Sequence, residues 1–373
     1  MDEQKKTAGL RGFSAGETAI CTVGNQAAGL RYYGYDIGCL AQYASFEEVS
    51  YLLLYGELPT TAQLNGYISR LKQGRGLPET LRLALEQIPA TSHPMDVMRT
   101  ACSLLGTLEP ELDFAQQQQI AVRLLAIFPS IMCYWYCFSQ TGKRIDCASQ
   151  DDTIACHILH MLAGKPPSAM QQKAMDVSLI LYAEHEFNAS TYTARICAST
   201  LSDFYSSVCG AIGSLRGLLH GGANEASLQL FACCDTSEQA VAKVMEKLQQ
   251  QEKIMGFGHA VYKNADPRSA QIKNWAKLLS EQAANGHYFV MAEAIEQWMQ
   301  QHKNLFANLD FYSALNYHFL AIPACLFTPL FVCSRITGWS AHIMEQRQHN
   351  VLIRPAADYI GIAQREFIPI TQR

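Results

Sequence analysis

Long runs of like charge are missing from this sequence, and with them the usual footprint of a nucleic-acid-binding chain. Basic stretches extend no further than Lys5-Lys6 and Lys143-Arg144, and the formal net charge is −4. A Ser-, Gly- or Pro-rich linker is also missing, as is any repeat at a solenoid period. Thirteen cysteines are present without a single CxxC pair or zinc-like spacing. Most of them, such as Cys102, Cys156, Cys197 and Cys209, fall in apolar helix-like runs, so reduced buried thiols are expected. The Cys133/Cys137 and Cys233-Cys234 pairs carry no metal signature. Charged residues make up 17% and apolar residues 49%, which excludes a disordered chain. The Met1–Lys6 stretch is charged and leads into no apolar core, unlike a secretory signal. Leu124–Phe138 is too short to span a bilayer and contains Pro129. Phe319–Trp339 carries Pro323, Pro329 and Arg335. Both are expected to be buried core helices, and the cytoplasm is the expected compartment.

A chain of 373 residues exceeds what one compact core usually holds, so two lobes are expected. Most of it reads as helix. Ser45-Phe46-Glu47-Glu48 has the form of a capping box, Val49, Leu52 and Leu53 supply the buried stripe, and Gly56 ends the helix. Helical periodicity recurs over Pro78–Ile88, Asp96–Leu105, Thr153–Ala163, Gln171–Glu184, Thr191–Leu215, Ser237–Gln250 and Tyr288–Gln301. Strand-like alternation is largely confined to the first thirty residues. The fold class is all-α with short N-terminal strands. Without a linker, two domains would share the chain discontinuously, one inserted in the other.

Four segments hold residues that are expensive as packing. Leu219-His220-Gly221-Gly222 precedes a helix-like NEASLQLF, placing His220 near a helix N-terminus, whose positive dipole end disfavours imidazolium. A neutral imidazole there could donate to a developing oxyanion, or merely cap the turn. In Gly256-Phe257-Gly258-His259, the glycines permit close backbone approach to a ligand. Asp266-Pro267 then begins a helix with Arg268 in its first turn, an anion-friendly corner. Asp310 in Asn308-Leu309-Asp310 immediately precedes a helix and could be an N-cap. Arg335 lies in an apolar run and needs an anionic partner from protein or ligand, and Arg354 follows in Leu352-Ile353-Arg354-Pro355. Glu184-His185-Glu186 is either an internal ion-pair network or the polar wall of a site. His157 and His160 beside Cys156 read as core or surface histidines. This inventory fits a small polyanionic substrate activated at carbon. No P-loop, Rossmann fingerprint, GxSxG elbow or metal-ligand cluster is expected to offer a rival.

These segments resemble the citrate synthase family nearly end to end. The likeness begins at LRYYGYDI (residues 30–37) and SFEEV through GELPT (45–60), and continues at HPMD (93–96) and LHGGANEA. MGFGHAVYK with DPR, NLDFYS and the Arg335 and Arg354 segments follow in the family's order. The stretches NASTYTARICASTLSDFYSSVCGAIGSLRG, LFTPLFVCSRITGWSAHIMEQR and NVLIRPAADYIG are most similar to its 2-methylcitrate-forming branch. The resemblance implies a helical homodimer. Each chain would have a large domain of residues 1–221 and 323–373 and a small domain of residues 222–322, closing over substrate. It implies that propionyl-CoA, or acetyl-CoA as the alternative, condenses with oxaloacetate in propionate catabolism. The thioester is a substrate, and no cofactor or metal is expected.

By the same resemblance Asp310 removes the α-proton of the thioester, His220 donates to the thioester oxygen, and His259 donates to the oxaloacetate carbonyl. His185, Arg268 and Arg335 would hold oxaloacetate, with Arg354 arriving from a partner subunit. Glu252, Lys253, Ile254, Met255 and Gly256 would form the CoA loop, and Arg70 is a further ligand contact. The chain departs from the family at Leu218, where Pro is common, and at Ala260, where Arg is frequent. Neither touches the catalytic set. A reading from another class, a non-catalytic CoA- or dicarboxylate-binding homologue, gives no chemical reason to retain all three of His220, His259 and Asp310.

Overall fold

The computed structural model describes residues 13–24, 29–232 and 234–373. The charged Met1–Lys6 stretch and Cys233 lie outside the described residues. A small antiparallel sheet opens the chain: β1 (Cys21–Val23), β2 (Leu30–Tyr32) and β3 (Tyr35–Asp36), with Cys21 opposite Tyr32 and Arg31 opposite Asp36. Helices α1 (Ile37–Tyr43), α2 (Phe46–Tyr55), α3 (Thr61–Gln73), α4 (Glu79–Gln87) and α5 (Pro94–Leu108) follow. Then come α6 (Gln117–Thr141), α7 (Ile154–Ala163), α8 (Ala169–Tyr182), α9 (Ala189–Ser199), α10 (Phe204–Leu215) and α11 (Ala223–Leu228). The last are α12 (Ser237–Gln249), α13 (Ser269–Ser280), α14 (His287–Lys303), α15 (Leu309–Phe319) and α16 (Phe327–Gln348). The protein is mostly helical, and among the described residues the strands lie near its N-terminus.

Local chemistry sets the boundaries. Ser45 Oγ accepts from the Glu48 amide at 3.2 Å while Glu48 Oε2 accepts from the Ser45 amide at 2.7 Å, the reciprocal cap read from the sequence. Gly56 ends α2 in the left-handed region at φ 83°. The Thr191–Leu215 periodicity breaks into α9 and α10. Leu201 adopts φ 62°, and the Asp203 side chain accepts from the Ser206 amide at 2.9 Å to start a new helix. The apolar periodicity runs on across both sides, so only that cap marks the break.

The two apolar runs take different forms. α6 is long and apolar enough to cross a membrane by length and composition, yet its apolar window is mostly buried inside the protein. Phe319–Trp339 is not one helix: α15 ends at Phe319, and Ala321 turns through φ 57° before α16 begins at Phe327. α16 is buried on nearly all sides and packs against α2, α6, α8, α9 and α10. His157 is a core histidine flanked by Ser130 Oγ (3.1 Å) and Ser149 Oγ (2.7 Å), whereas His160 meets Asp151 at 3.0 Å. The twelve described cysteines are free. Beyond α16, residues 349–373 run irregularly over the surface to a single short turn at Ile370–Gln372.

Candidate active site

A cleft of about 760 Å³ is lined by His185, His220, His259, Arg268, Asp310 and Arg335 together with Glu252, Lys253, Ile254, Met255 and Gly256. Residues more than a hundred positions apart thus share one site. Two candidates lie elsewhere. Arg70 is on α3, with its guanidinium 5.9 Å from the Tyr55 ring and 5.7 Å from the Tyr67 ring, and faces a separate depression shared with Arg123 and Tyr205. Arg70 therefore does not line this cleft of its own chain. Arg354 is exposed on the C-terminal segment and does not line the cleft of its own chain.

Backbone donors fix the protonation of both glycine-turn histidines. An amide N–H can only donate, so a ring nitrogen receiving one carries no proton. His220 Nε2 receives the Ser190 amide at 3.3 Å and lies 2.8 Å from Ser190 Oγ, leaving the ring proton on Nδ1. His259 Nδ1 receives the Val261 and Tyr262 amides at 3.1 and 3.3 Å, leaving the proton on Nε2. Burial and the nearby Arg335 lower His220 to about 4. Burial and Arg268 lower His259 to about 4. Both are neutral donors at neutral pH. For His220 the cause is burial and an arginine rather than the helix end inferred from sequence, because α11 starts three residues later and is short.

Each folded pKa lies below the ordinary 6.5, so the unfolded chain binds the extra protons and stability falls on acidification. The contribution of these two rings is present above about pH 6.5 and is lost as pH falls towards 4. Urea unfolding midpoints should therefore drop between pH 7 and 5, and His220→Gln should flatten that slope. An unchanged slope would contradict the assigned protonation.

Asp310 is not the cap of its helix. Asn308 takes that duty, accepting from the Asp310 amide at 3.0 Å, which leaves the Asp310 carboxylate free. The Tyr182 hydroxyl donates to Asp310 Oδ1 at 2.5 Å, and burial raises the carboxyl above its usual range despite that bond. The 256–258 loop is laced to the start of α15. The Asn308 amide donates to Gly256 O (2.9 Å), the Gly258 amide to Phe306 O (2.8 Å), and Asn308 Nδ2 to Gly258 O (2.9 Å). Gly256 has φ 87°, and an added Cβ would lie 2.9 Å from Phe311 Cβ. Its lack of a side chain serves close approach to the protein's own α15, which registers His259 against Asp310.

The two buried arginines differ. Arg268, expected in the first turn of a helix, instead stands just before α13. Its Nε and Nη2 grip Asp266 at 2.9 and 2.8 Å, and Asp266 also accepts the Leu309 amide at 3.0 Å. Burial works to raise Asp266, and Arg268 outweighs it, so the carboxyl titrates low. Arg335 donates through Nε to the Tyr182 carbonyl at 2.6 Å, while its Nη1 is buried without a hydrogen-bond partner among the described residues. Its guanidinium sits 4.7 Å from the Phe331 ring, which also contacts His220 and Tyr182. A buried cationic N–H with no acceptor beside a cleft suits a carboxylate ligand.

The Glu184-His185-Glu186 ambiguity resolves into both readings. His185 and Glu186 line the cleft, and Glu186 adopts φ 53°. Glu184 turns away to His342 Nε2 at 2.9 Å, both groups fully buried. Arg195 Nη1 donates to His342 Nδ1 at 2.9 Å and to Glu345 Oε2 at 2.6 Å. Arg335, Gly338, His342 and Glu345 thus form a polar stripe on α16 that holds the segment bearing Tyr182, His185 and Ser190. Gly338 has to be glycine, since an added Cβ would overlap Glu184 Oε2 and lie 2.5 Å from the Ala183 carbonyl. Gly338→Ala should cost about 2 kcal/mol or more in urea unfolding; a neutral result would mean that the Ala183 carbonyl and Glu184 both give way freely.

Sequence reasoning missed Tyr182, Ser190, Phe331, Asp266 as a partner for Arg268, and the His342 network. These side chains act through contacts across the fold, and no local motif announces them. The expectation that no GxSxG elbow is present needs one correction, since GFSAG at residues 12–16 spells its letters. Ser14 is exposed in an irregular segment and donates to Gly16 O at 3.1 Å, with no strand-to-helix turn around it.

Comparison with known proteins adds a separate line. The family model described as citrate synthase, C-terminal domain, matches residues 9–356. The chain is 60% identical over 377 residues to a 2-methylcitrate synthase of Shewanella oneidensis, covering all of both chains. It is 40% identical to citrate synthase 2 of Bacillus subtilis, covering 98% of this chain and 99% of the relative. Among solved structures, the Thermoplasma acidophilum citrate synthase in ternary complex with carboxymethyl coenzyme A and oxaloacetate superposes with a TM-score of 0.91 at 30% identity, covering 98% of each chain.

Proposed function

The chain belongs to the citrate synthase family, and from that premise we propose that it joins propionyl-CoA to oxaloacetate and hydrolyses the adduct to 2-methylcitrate and CoA. The observation that carries this reading is full-length identity of 60% to a 2-methylcitrate synthase, and the cleft geometry supports it. Asp310 takes the α-proton of the thioester while His220 Nδ1–H donates to the thioester oxygen. The α-carbon then bonds to the oxaloacetate carbonyl carbon, whose oxygen is met by His259 Nε2–H. Water cleaves the thioester and the CoA thiol leaves. Carbon-acid deprotonation needs a base and an oxyanion donor together in a water-poor site, and neutral imidazoles beside a burial-raised carboxyl supply them. His185, Arg268 and Arg335 would hold the dicarboxylate, with Glu252–Gly256 against CoA. A small domain of residues 222–322 would close on the large one. Incubation with both substrates should release CoA and yield a product with the mass of 2-methylcitrate. No oxaloacetate-dependent CoA release would end the reading.

The second reading is citrate formation from acetyl-CoA, favoured by the 40% identity to citrate synthase 2 of Bacillus subtilis. The two thioesters differ by one methylene, worth about 1–3 kcal/mol in a pocket, so overlapping activity is expected. The setting would be propionate catabolism in the cytoplasm.

The partner we infer is a second copy of the chain. Val351, Leu352, Tyr359, Ile360 and Phe367 are all exposed on the C-terminal segment, an apolar surface suited to covering by a protomer. Arg354 would then reach the neighbour's cleft. Co-expressing Arg354→Ala with Asp310→Asn should restore activity that neither variant has alone, because one hybrid site is intact. Failure to restore any activity would argue that Arg354 serves its own chain or none.

A further inference from the structure

Only the backbone amide of Tyr262 figures in the site assembled above, yet its phenol touches three members of it. Its hydroxyl lies 3.0 Å from His185 Nε2, linking segments 77 residues apart. Its ring is 4.6 Å from the His259 ring, and the Arg268 guanidinium lies 5.9 Å from its centroid. His185 and His259 themselves meet edge to face at 5.1 Å. The phenol is buried and does not line the cleft. It lies behind the wall that the candidate dicarboxylate ligands form.

A buried hydroxyl donates its proton where it can, and His185 Nε2 is its hydrogen-bond partner among the described residues. Burial raises the phenol, keeping it a donor, and burial together with Arg268 keeps His185 neutral. Nε2 is therefore the acceptor, and the His185 ring proton resides on Nδ1. Without the hydroxyl, the imidazole would lose the bond that selects its tautomer and ring orientation.

Resting on the functional reading above, we propose that Tyr262 is a positioning residue for oxaloacetate, acting through its hydrogen bond to His185. Tyr262→Phe keeps the ring contacts to His259 and Arg268 and deletes only that bond. It should raise the KM for oxaloacetate about 10-fold while kcat falls by a smaller factor and the KM for propionyl-CoA stays within about twofold. In a His185→Gln background the same change should alter the oxaloacetate KM by less than about twofold, because the group it acts through is gone. KM does not depend on the amount of active enzyme, so partial unfolding of a variant leaves the comparison intact. An unchanged oxaloacetate KM in Tyr262→Phe, or an equal effect in both backgrounds, would overturn the proposal. Absence of oxaloacetate-dependent CoA release by the unsubstituted protein would instead overturn the functional reading.

Discussion

Asp310→Asn is expected to lower kcat by about 10³-fold or more, the scale of a general base removed from carbon-acid deprotonation. Asn keeps the shape, and the Tyr182 hydroxyl, 2.5 Å from Oδ1, can donate to the amide oxygen as it does to the carboxylate. The fold and oxaloacetate affinity should therefore survive, so the loss appears in kcat with little change in the oxaloacetate KM. CoA release followed by a thiol reagent measures it. Turnover within tenfold of the unsubstituted protein would remove Asp310 from the base role.

Arg335→Gln should raise the oxaloacetate KM by about 100-fold, with a smaller effect on kcat and on the thioester KM. Loss of a buried charged partner costs about 2–5 kcal/mol. Arg335 suits the role because its Nε is already satisfied by the Tyr182 carbonyl, and its Nη1 has no acceptor among the described residues. The glutamine amide can still reach for that carbonyl, which limits the structural damage. An oxaloacetate KM that stays put would mean the orphaned Nη1 serves some other anion. The two substitutions separate chemistry from binding, one reading out in kcat and the other in KM.

How far the sequence carries depends on whether a feature is local. The Ser45–Glu48 cap, the Gly56 stop and the helical class follow from neighbouring residues, and they appear as read. His220, His259 and Asp310 stood out because each sits in a short motif bearing glycine or asparagine, but the motifs left capping roles open for His220 and Asp310 and only the family resemblance assigned chemistry to the three. What a residue touches is a property of the fold. Nothing near Asp310 in the chain specifies Tyr182, 128 positions earlier, and nothing near Arg335 specifies the Tyr182 carbonyl. The break between α9 and α10 was hidden because the apolar periodicity continues across it and only Asp203 signals a fresh start. Arg70 was placed by resemblance alone, and its helix faces a different depression. Nothing near Gly338 in the chain specifies that Glu184 lies against it.

The size of the acyl group is where the account is most exposed. Steady-state kcat/KM for propionyl-CoA and for acetyl-CoA, at saturating oxaloacetate, tests it directly. The account predicts measurable turnover of both, with the higher kcat/KM for propionyl-CoA. A strong preference for acetyl-CoA would contradict it.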